Sequence, residues 1–318
     1  MVKLLYSFTH VIDFASLKVS KLNEKTGLFA KFVTMQNTPT IRLKERLLNV
    51  ENGIVMGILN LTPDSFYQGS RYPEKDLAIT QIEKMIHEGM DILDIGAISS
   101  RPGAELVSET EEWSRLEPTM RLLRDSYPQL PVSLDTYRSR IAKKAVLEYG
   151  ISIINDISSG RFDPKMPEVA GELKVPVILM HMQGIPGNMQ DNPIYKDVML
   201  DVLRFFGERI QVFRNAGVHD IILDPGFGFG KTLSHNYQLL NELGNLRDLG
   251  LPLLAGVSRK SMIYKCIGGG PEDALTGTIA LNALCRMNGA DILRVHDVKE
   301  AVECLKLTNQ VMEPELLP

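Results

Sequence analysis

IVMGILN, at residues 54–60, is a short and continuously apolar run that ends in a polar residue and precedes an amphipathic segment. The same pattern recurs further along the chain, at ILDIGA (92–97), VSLD (132–135), ISIINDIS (151–158), PVILMHM (176–182), IILDPG (221–226), PLLAGVS (252–258) and ILRVHD (292–297). Such runs are typical of strands buried on both faces of a parallel sheet. Eight strands that alternate with helices predict an α/β fold, the (β/α)8 TIM barrel.

The polar residues that end these runs indicate an enzyme. In a TIM barrel the carboxyl ends of all strands lie at one mouth, where the active site is found. The side chains expected at this mouth are Asn60, Asp94, Asp135, Asn155, His181, Asp224, Ser258 and His296. A barrel with a purely structural role does not need so many polar groups in one ring.

The start of the chain does not follow the barrel pattern. We predict that residues 1–40 are an N-terminal extension, disordered or mis-annotated, and that residues 41–318 form a single barrel domain. Met35 offers an alternative start. Polar residues interrupt the apolar opening and no small-residue cleavage site follows it, so we expect neither a signal peptide nor a membrane anchor. The segment IRLKERLLNV (41–50) predicts a small hairpin that closes the bottom of the barrel.

Composition narrows the class of protein. Hydrophobic residues make up 44% of the 318 residues and charged residues 23%, as in ordinary soluble globular proteins. The net charge of −4 gives no reason to expect nucleic acid or a membrane as a partner. Cys266, Cys285 and Cys304 form no CxxC motif, which indicates reduced thiols in a cytoplasmic protein.

Two loops after the first strands carry groups that suit phosphate. The amide oxygen of Asn60 can coordinate Mg²⁺ beside phosphate oxygens, although such a loop can also simply cap its own backbone. In the second loop Ser99, Ser100 and Arg101 offer hydroxyl and guanidinium donors to an oxyanion. The alternative for Arg101 is a solvated surface side chain.

Two acids and an amide end strands that lie far apart in sequence. Asp135, Asn155 and Asp224 converge in a barrel, and ionised carboxylates only accept hydrogen bonds. They therefore favour a ligand rich in N–H donors, such as the edge of a heterocycle. The alternative is buried acids paired with lysine or arginine for stability.

The last three strand ends add aromatic and cationic groups. DPGFGFGK (224–231) predicts a flexible loop in which Phe227 and Phe229 supply flat apolar surface and Lys231 a cation. In SRKS, Lys260 can hydrogen-bond a ring atom and Ser261 can open a helix that attracts a carboxylate.

RVHD, in the last strand, places Arg294 and His296 on the same side, as alternate residues of a strand do. Together they suit a diphosphate, and a guanidinium can also stack on an aromatic ring. The alternative for His296 is a structural role, in which it binds a backbone carbonyl.

Together these motifs resemble the dihydropteroate synthase family, from about Ile54 to about Val311. The resemblance rests on MGILNLTPDSF, SSRPGA, SLDT, IINDIS, MHMQGIPGNMQ, DPGFGFGK, SRKS and RVHDV, in that order. It implies the condensation of 6-hydroxymethyl-7,8-dihydropterin diphosphate with 4-aminobenzoate to 7,8-dihydropteroate and pyrophosphate in folate biosynthesis. It also implies a dissociative substitution, a homodimer and a target for sulfonamides.

The resemblance further implies a role for individual residues. Those expected at the pterin are Asp135, Asn155, Asp224, Lys260, Met180 and Arg294. Those expected at the diphosphate are Asn60 with Mg²⁺, Ser100, Arg101, Arg294 and His296. Those expected around 4-aminobenzoate are Phe66, Pro102, Phe229 and Ser261. The catalytic group would comprise Lys260, Arg294, His296 and Arg101.

The chain departs from the family pattern in two loops. Ile98 stands where the family commonly has glutamate, and Tyr67-Gln68 stands where Ser-Asp is frequent. The altered second loop leaves open a non-catalytic pterin-binding paralogue. A pterin-dependent methyltransferase domain is the other alternative, although it would not need the SRKS and RVHDV groups.

Overall fold

The structure, a computed structural model, describes residues 40–43, 46–62, 74–98, 107–185, 187 and 189–314. The extension predicted for residues 1–40 lies almost entirely outside these residues, so the domain boundary stays a prediction. No helix in the described part of the chain is long and apolar enough to cross a membrane.

The strands confirm the predicted barrel. In chain order they are β1 (Thr40–Leu43), β2 (Arg46–Asn49), β3 (Ile54–Asn60), β4 (Ile92–Gly96), β5 (Val132–Asp135), β6 (Ile153–Asp156), β7 (Val177–Met180), β8 (Ile221–Asp224), β9 (Leu254–Ala255) and β10 (Ile292–Val295). Strands β3 to β10 form one eight-stranded sheet, in the order β8-β7-β6-β5-β4-β3-β10-β9, with parallel neighbours. A parallel bridge between Leu223 and Leu253 joins its two edges and closes the ring.

A helix follows each barrel strand. The helices are α1 (Glu74–His87), α2 (Glu109–Ser126), α3 (Ser139–Tyr149), α4 (Met166–Leu173), α5 (Val198–Asn215), α6 (Leu233–Asn241), α7 (Ser261–Ile267), α8 (Leu275–Met287) and α9 (Val298–Met312). Short 3₁₀ turns lie at Leu243–Leu249 and Pro271–Ala274. Side-chain caps define where several helices begin: Asp197 accepts from Leu200 N at 3.0 Å before α5, and Thr232 from His235 N at 3.1 Å before α6.

The barrel strands are apolar on both sides because they lie between two cores. Side chains that face the helices join one large apolar cluster, among them Leu93, Ile154, Leu179, Leu223 and Leu293. Alternate residues point the other way, into the barrel. At the amino ends of the strands these form a second apolar cluster, which includes Ile54, Met56, Ile92, Ile153, Ile178, Ile222, Leu254 and Ile292.

The inward-facing side chains become polar further along the same strands. Asp94, Asn155, Asp224 and Arg294 each lie two residues after an isoleucine of the inner cluster. Asp94 contacts Asn155 and Arg294, on strands that are not its neighbours in the sheet, so these groups meet across the barrel interior. The inside of the barrel is therefore apolar at its amino end and polar at its mouth.

The hairpin predicted for residues 41–50 is confirmed. β1 and β2 pair antiparallel, and Ile41, Leu43 and Val50 join the inner apolar cluster at the amino ends of the strands. The backbone N–H of Arg42 donates to Asp220 Oδ1 at 3.1 Å, just before β8. The hairpin thus covers the end of the barrel opposite the polar mouth.

Replacing Ile41 by alanine is expected to lower the free energy of unfolding by about 2–3 kcal/mol, because the side chain is 1% exposed and its removal leaves a cavity. Urea unfolding measures this loss, and Leu47→Ala in the same hairpin is the control, since Leu47 is 64% exposed. Substrate KM values are expected to stay unchanged because the hairpin is remote from the mouth. Equal losses of unfolding free energy in both variants would contradict the burial of the hairpin against the barrel.

Candidate active site

The described part of the structure places most of the predicted site residues at or beyond the carboxyl ends of the barrel strands. These are Asn60, Asp135, Asn155, Met180, Asp224, Phe229, Lys260, Ser261, Arg294 and His296. Phe66, Ser100, Arg101 and Pro102 lie outside the described residues, so their roles stay predictions. Ile98 is described and half-buried, at the start of the second loop.

Arg294 is held between two carboxylates inside the barrel mouth. Its Nε and Nη2 lie 2.7 Å and 2.6 Å from Asp94 Oδ2, and Nη2 lies 3.2 Å from Asp135 Oδ2. Asn155 Nδ2 also donates to Asp94, at 3.2 Å from Oδ2 and 3.4 Å from Oδ1. Asp94 therefore orients both the arginine and the amide, and the contacts with the two carboxylates fix the plane of the guanidinium.

The sequence places Asp94 at a strand end but does not indicate that it belongs to the site. A buried arginine needs a counter-charge, and this requirement is the signal that could have added Asp94 to the site. Which carboxylate supplies the charge depends on contacts across the barrel, between β4 and β10.

The Asp135 carboxyl is poised to change its protonation near neutral pH. Burial raises its pKa to about 7, an effect that Arg294 opposes and the Asp94 carboxylate reinforces. Burial likewise raises the pKa of Asp224, against the attraction of Lys260. Asp224 Oδ1 accepts a hydrogen bond from Gly226 N at 2.8 Å, so one carboxylate oxygen anchors the loop that follows β8.

Lys260 lies beside the loop after β8, where it contacts the backbone of Phe227 and the ring of Phe229. Its Nζ donates to the carbonyl oxygen of Phe227 at 2.5 Å and lies 4.7 Å from the centroid of the Phe229 ring. Burial lowers the pKa of Lys260 to about 8, and the Asp224 carboxylate opposes this shift. At neutral pH Lys260 is thus a cation that binds one carbonyl oxygen, lies over an aromatic ring and is near the Asp224 carboxylate. Ser261 follows it directly as the first residue of α7.

An apolar wall adjoins these charges. Ile157, Met180, Met182 and Met189 form a buried cluster, against which the half-buried Phe229 packs. Met180 is 2% exposed and ends β7 next to Asp224, its register partner in β8. A flat ring placed in the mouth would therefore meet methionine surface on one side and hydrogen-bonding groups at its edge.

His296 is exposed at the mouth and is oriented by Ser258. The Ser258 hydroxyl lies 3.1 Å from His296 Nδ1 and accepts from the backbone N–H of His296 at 3.2 Å. Neighbouring Arg259, with a positive φ of 52°, forms a two-point ion pair with Asp297 at 2.7 Å and 2.9 Å. These contacts tie the carboxyl ends of β9 and β10 together, a role that sequence reasoning did not give to Ser258 or Arg259.

Lys231 does not lie where the sequence suggested. It is 3% exposed, and protein acceptors surround its ammonium group. The cation that the sequence assigned to Lys231 is supplied instead by Lys260, which follows the next strand and contacts the loop.

Known proteins that are similar to this chain identify its family. A family model described as pterin binding enzyme matches residues 56–296. The dihydropteroate synthase of Escherichia coli (strain K12) is 42% identical over 267 residues, which cover 83% of this chain and 94% of that protein. A crystal structure of Yersinia pestis dihydropteroate synthase with a sulfonamide drug complex has a TM-score of 0.81 and 41% identity, and the match covers 86% of this chain and 99% of that one.

A structure of Xanthomonas albilineans dihydropteroate synthase with 4-aminobenzoic acid has a TM-score of 0.80 and 38% identity. That match covers 88% of this chain and 100% of the other. Both the sequence and the barrel are thus shared over nearly the full length of these relatives. The chain belongs to the dihydropteroate synthase family of pterin-binding enzymes, which are transferases of folate biosynthesis.

Proposed function

We propose that this chain condenses 6-hydroxymethyl-7,8-dihydropterin diphosphate with 4-aminobenzoate, releasing pyrophosphate and 7,8-dihydropteroate. The observation that carries the proposal is the cluster at the mouth, where Arg294 joins Asp94 and Asp135 while Lys260 lies near Asp224. It combines acceptors for a donor-rich ring with a lysine for a ring acceptor and an arginine for a diphosphate.

The pterin is assigned to the acid-lined part of the mouth. The Asp135 and Asp224 carboxylates and the Asn155 amide would take the N–H donors of its edge, and Lys260 would donate to a ring oxygen or nitrogen. Met180 would lie under the ring, as its buried position in the apolar wall supports. Arg294 would stack on the ring from the opposite side while touching phosphate.

The diphosphate is assigned to the cationic side. His296 and Arg294 would bind its oxygens, together with Ser100 and Arg101 from the second loop. These donors stabilise the charge that develops on pyrophosphate as it leaves. The acids near the pterin tolerate a cationic exocyclic carbon, which supports a dissociative substitution in which the aniline nitrogen attacks after pyrophosphate departs. No covalent nucleophile is needed.

The arylamine is assigned to the outer part of the mouth. Phe229, Phe66 and Pro102 would frame the ring of 4-aminobenzoate, and the Ser261 hydroxyl would bind its carboxylate. The Phe229 ring beside Lys260 supports this placement, since it offers flat apolar surface next to the pterin groups. The Y. pestis relative was solved with a sulfonamide drug, and we assign such arylamine analogues to the same place.

Mg²⁺ is compatible with Asn60. No group of three or more histidine, cysteine or acidic side chains that could hold a metal occurs among the described residues. Mg²⁺ at phosphate sites keeps several waters and takes few protein ligands, so one amide oxygen at the mouth end of β3 fits this need. We assign Asn60 to this role, in which the bound ion would neutralise charge on the diphosphate.

We further propose a cytoplasmic homodimer that binds neither nucleic acid nor membrane. Support for self-association comes from exposed apolar side chains on α8 and α9, among them Leu284, Met287, Leu307 and Val311. The net charge of −4 supports the absence of nucleic-acid and membrane partners, and the free cysteines support a cytoplasmic location.

The test is pyrophosphate release by the purified protein supplied with the pterin diphosphate and Mg²⁺, with and without 4-aminobenzoate. Release that depends on 4-aminobenzoate and matches dihydropteroate formation supports the synthase. Pterin binding without product would indicate the non-catalytic paralogue, and methyl transfer from methyltetrahydrofolate to a corrinoid protein would indicate the methyltransferase.

The kcat/KM for the pterin diphosphate is expected to fall above about pH 8, by about tenfold per pH unit, because Lys260 loses its charge there. Below this pKa the ammonium is present and binding is supported; above it the cation is lost. In Lys260→Arg the guanidinium stays charged, so the fall should move to higher pH. A fall at the same pH in both proteins would show that another group titrates.

A further inference from the structure

The loop after β8 comprises residues 226–230, and side chains from outside this range hold its backbone carbonyls. Gly226 O and Phe229 O accept from Lys231 Nζ at 2.9 Å and 3.2 Å. Phe227 O accepts from Lys260 Nζ, Gly228 O from Gln190 Nε2 at 2.6 Å, and Gly230 O from Tyr195 Oη at 2.8 Å. Five successive carbonyls thus have side-chain donors, so the loop conformation is imposed by its surroundings.

The loop also lies directly against the segment that follows β7. A methyl group added at Gly226, whose φ is +68°, would lie 2.0 Å from His181 O, and one added at Gly230 would lie 2.4 Å from Gln183 O. With so little clearance, the loop has no room to shift toward that segment. Lys231 is at this contact, since it also donates to His181 O at 3.3 Å.

The Lys231 ammonium and the His181 ring form a buried pair. Lys231 Nζ lies 3.0 Å from His181 Nδ1, and the two residues are 3% and 6% exposed. Burial lowers the pKa of Lys231 to about 7, and in its charged form the amine only donates, so that Nδ1 then accepts and the ring proton lies on Nε2. Burial, with the nearby charges of Lys231 and Arg161, lowers the pKa of His181 and keeps the ring neutral. The pair therefore joins the end of β7 to both ends of the loop.

We propose that Lys231 and His181 are positioning residues that set the Gly226–Gly230 loop and thereby place Phe229 for the arylamine substrate. The inference rests on the proposed function for what Phe229 contacts. His181, which the sequence placed at the mouth, instead packs against Phe205 of α5, and Lys231 is 3% exposed, so both act through the loop. Lys231 also attracts the Asp224 carboxylate, but Asp224 belongs to β8 and its backbone is held by the strand ladder, so we expect the pterin groups to depend less on Lys231 than Phe229 does.

The first test is Lys231→Met, which keeps the aliphatic stem and removes the donors. Its KM for 4-aminobenzoate is expected to rise about tenfold, because the loop must then be ordered on binding. Its KM for the pterin diphosphate should stay within about twofold of wild type. Amide hydrogen exchange at residues 226–230 should become faster while the barrel strands keep their protection. Lys196→Met, at an exposed lysine before α5, is the matched control.

A second pair of variants keeps the proposal testable if Lys231→Met does not fold. His181→Asn retains an acceptor near the position of Nδ1, whereas His181→Leu removes it. Both variants lose the contact with the Phe205 ring, whose centroid lies 5.0 Å from that of His181. The difference between the two variants therefore reports the effect of the acceptor alone. We expect KM for 4-aminobenzoate to be higher in the leucine variant than in the asparagine variant, with KM for the pterin diphosphate equal in the two.

Three results would overturn the proposal: unchanged KM values and exchange in Lys231→Met, equal rises in both KM values, or indistinguishable His181 variants. Failure of the proposed function is a separate result, since the wild-type protein would then release no pyrophosphate with 4-aminobenzoate. Faster exchange at 226–230 in Lys231→Met would in that case still support the positioning of the loop.

Discussion

Replacing Lys260 by alanine is expected to reduce turnover by about 10²–10³-fold while the barrel stays folded. Lys260 places its cation near Asp224 and over the Phe229 ring, where the two assigned substrates meet. A preorganised donor in such a position acts on charge that changes during the reaction, so its loss raises the barrier rather than weakening the fold. The single carbonyl contact to Phe227 is the main structural contact removed.

Steady-state pyrophosphate release and urea unfolding measure the two effects of this substitution. Lys265→Ala is the matched control, because Lys265 is exposed on the same short helix α7. We expect the control to resemble wild type in both assays. Undiminished turnover in Lys260→Ala, or a loss of turnover that follows unfolding, would contradict the role assigned to Lys260.

Replacing Arg294 by methionine is expected to lower the free energy of unfolding by about 3–5 kcal/mol at pH 8 and to abolish turnover. The substitution leaves Asp94 and Asp135 close together without their cation, and Asp94 is 1% exposed. The cost comes from burying like charges that are no longer compensated.

The loss of stability in this variant should depend on pH. A carboxyl whose pKa is higher in the folded state than in the unfolded state destabilises the fold once the pH exceeds the unfolded value, and most above the folded value. The pKa of Asp135 is already about 7 with Arg294 present, and removing the cation raises it further. The variant should therefore lose less stability at pH 5.5, where the carboxyl takes up a proton, than at pH 8.

Urea unfolding at both pH values measures this difference, and Asp94→Asn in the Arg294→Met background provides the control. Removing one of the two buried charges is expected to restore part of the stability at pH 8, although not the activity. An equal loss of stability at both pH values, or no recovery in the double variant, would show that the ion pairs contribute little.

The order of apolar runs was enough to predict the barrel and the hairpin below it. Both follow from local periodicity, since buried parallel strands and amphipathic helices leave distinct patterns in a single chain. The polar residue at each strand end could be assigned to the mouth for the same reason: the topology places all carboxyl ends together. Asp135, Asn155 and Asp224 follow from this argument, and the alternation of side chains along the last strand adds Arg294 beside His296.

Partnerships across the barrel depend on the tertiary structure alone. Asp94 and Arg294 are 200 residues apart, and nothing local distinguishes the acid that binds this arginine from the other acids at strand ends. Lys231 and Lys260 show the same limit: both suit a ligand by sequence, yet one lies among backbone carbonyls and the other at the mouth. Periodicity determines which way a strand residue points, whereas the partner it meets depends on how eight strands close into a ring.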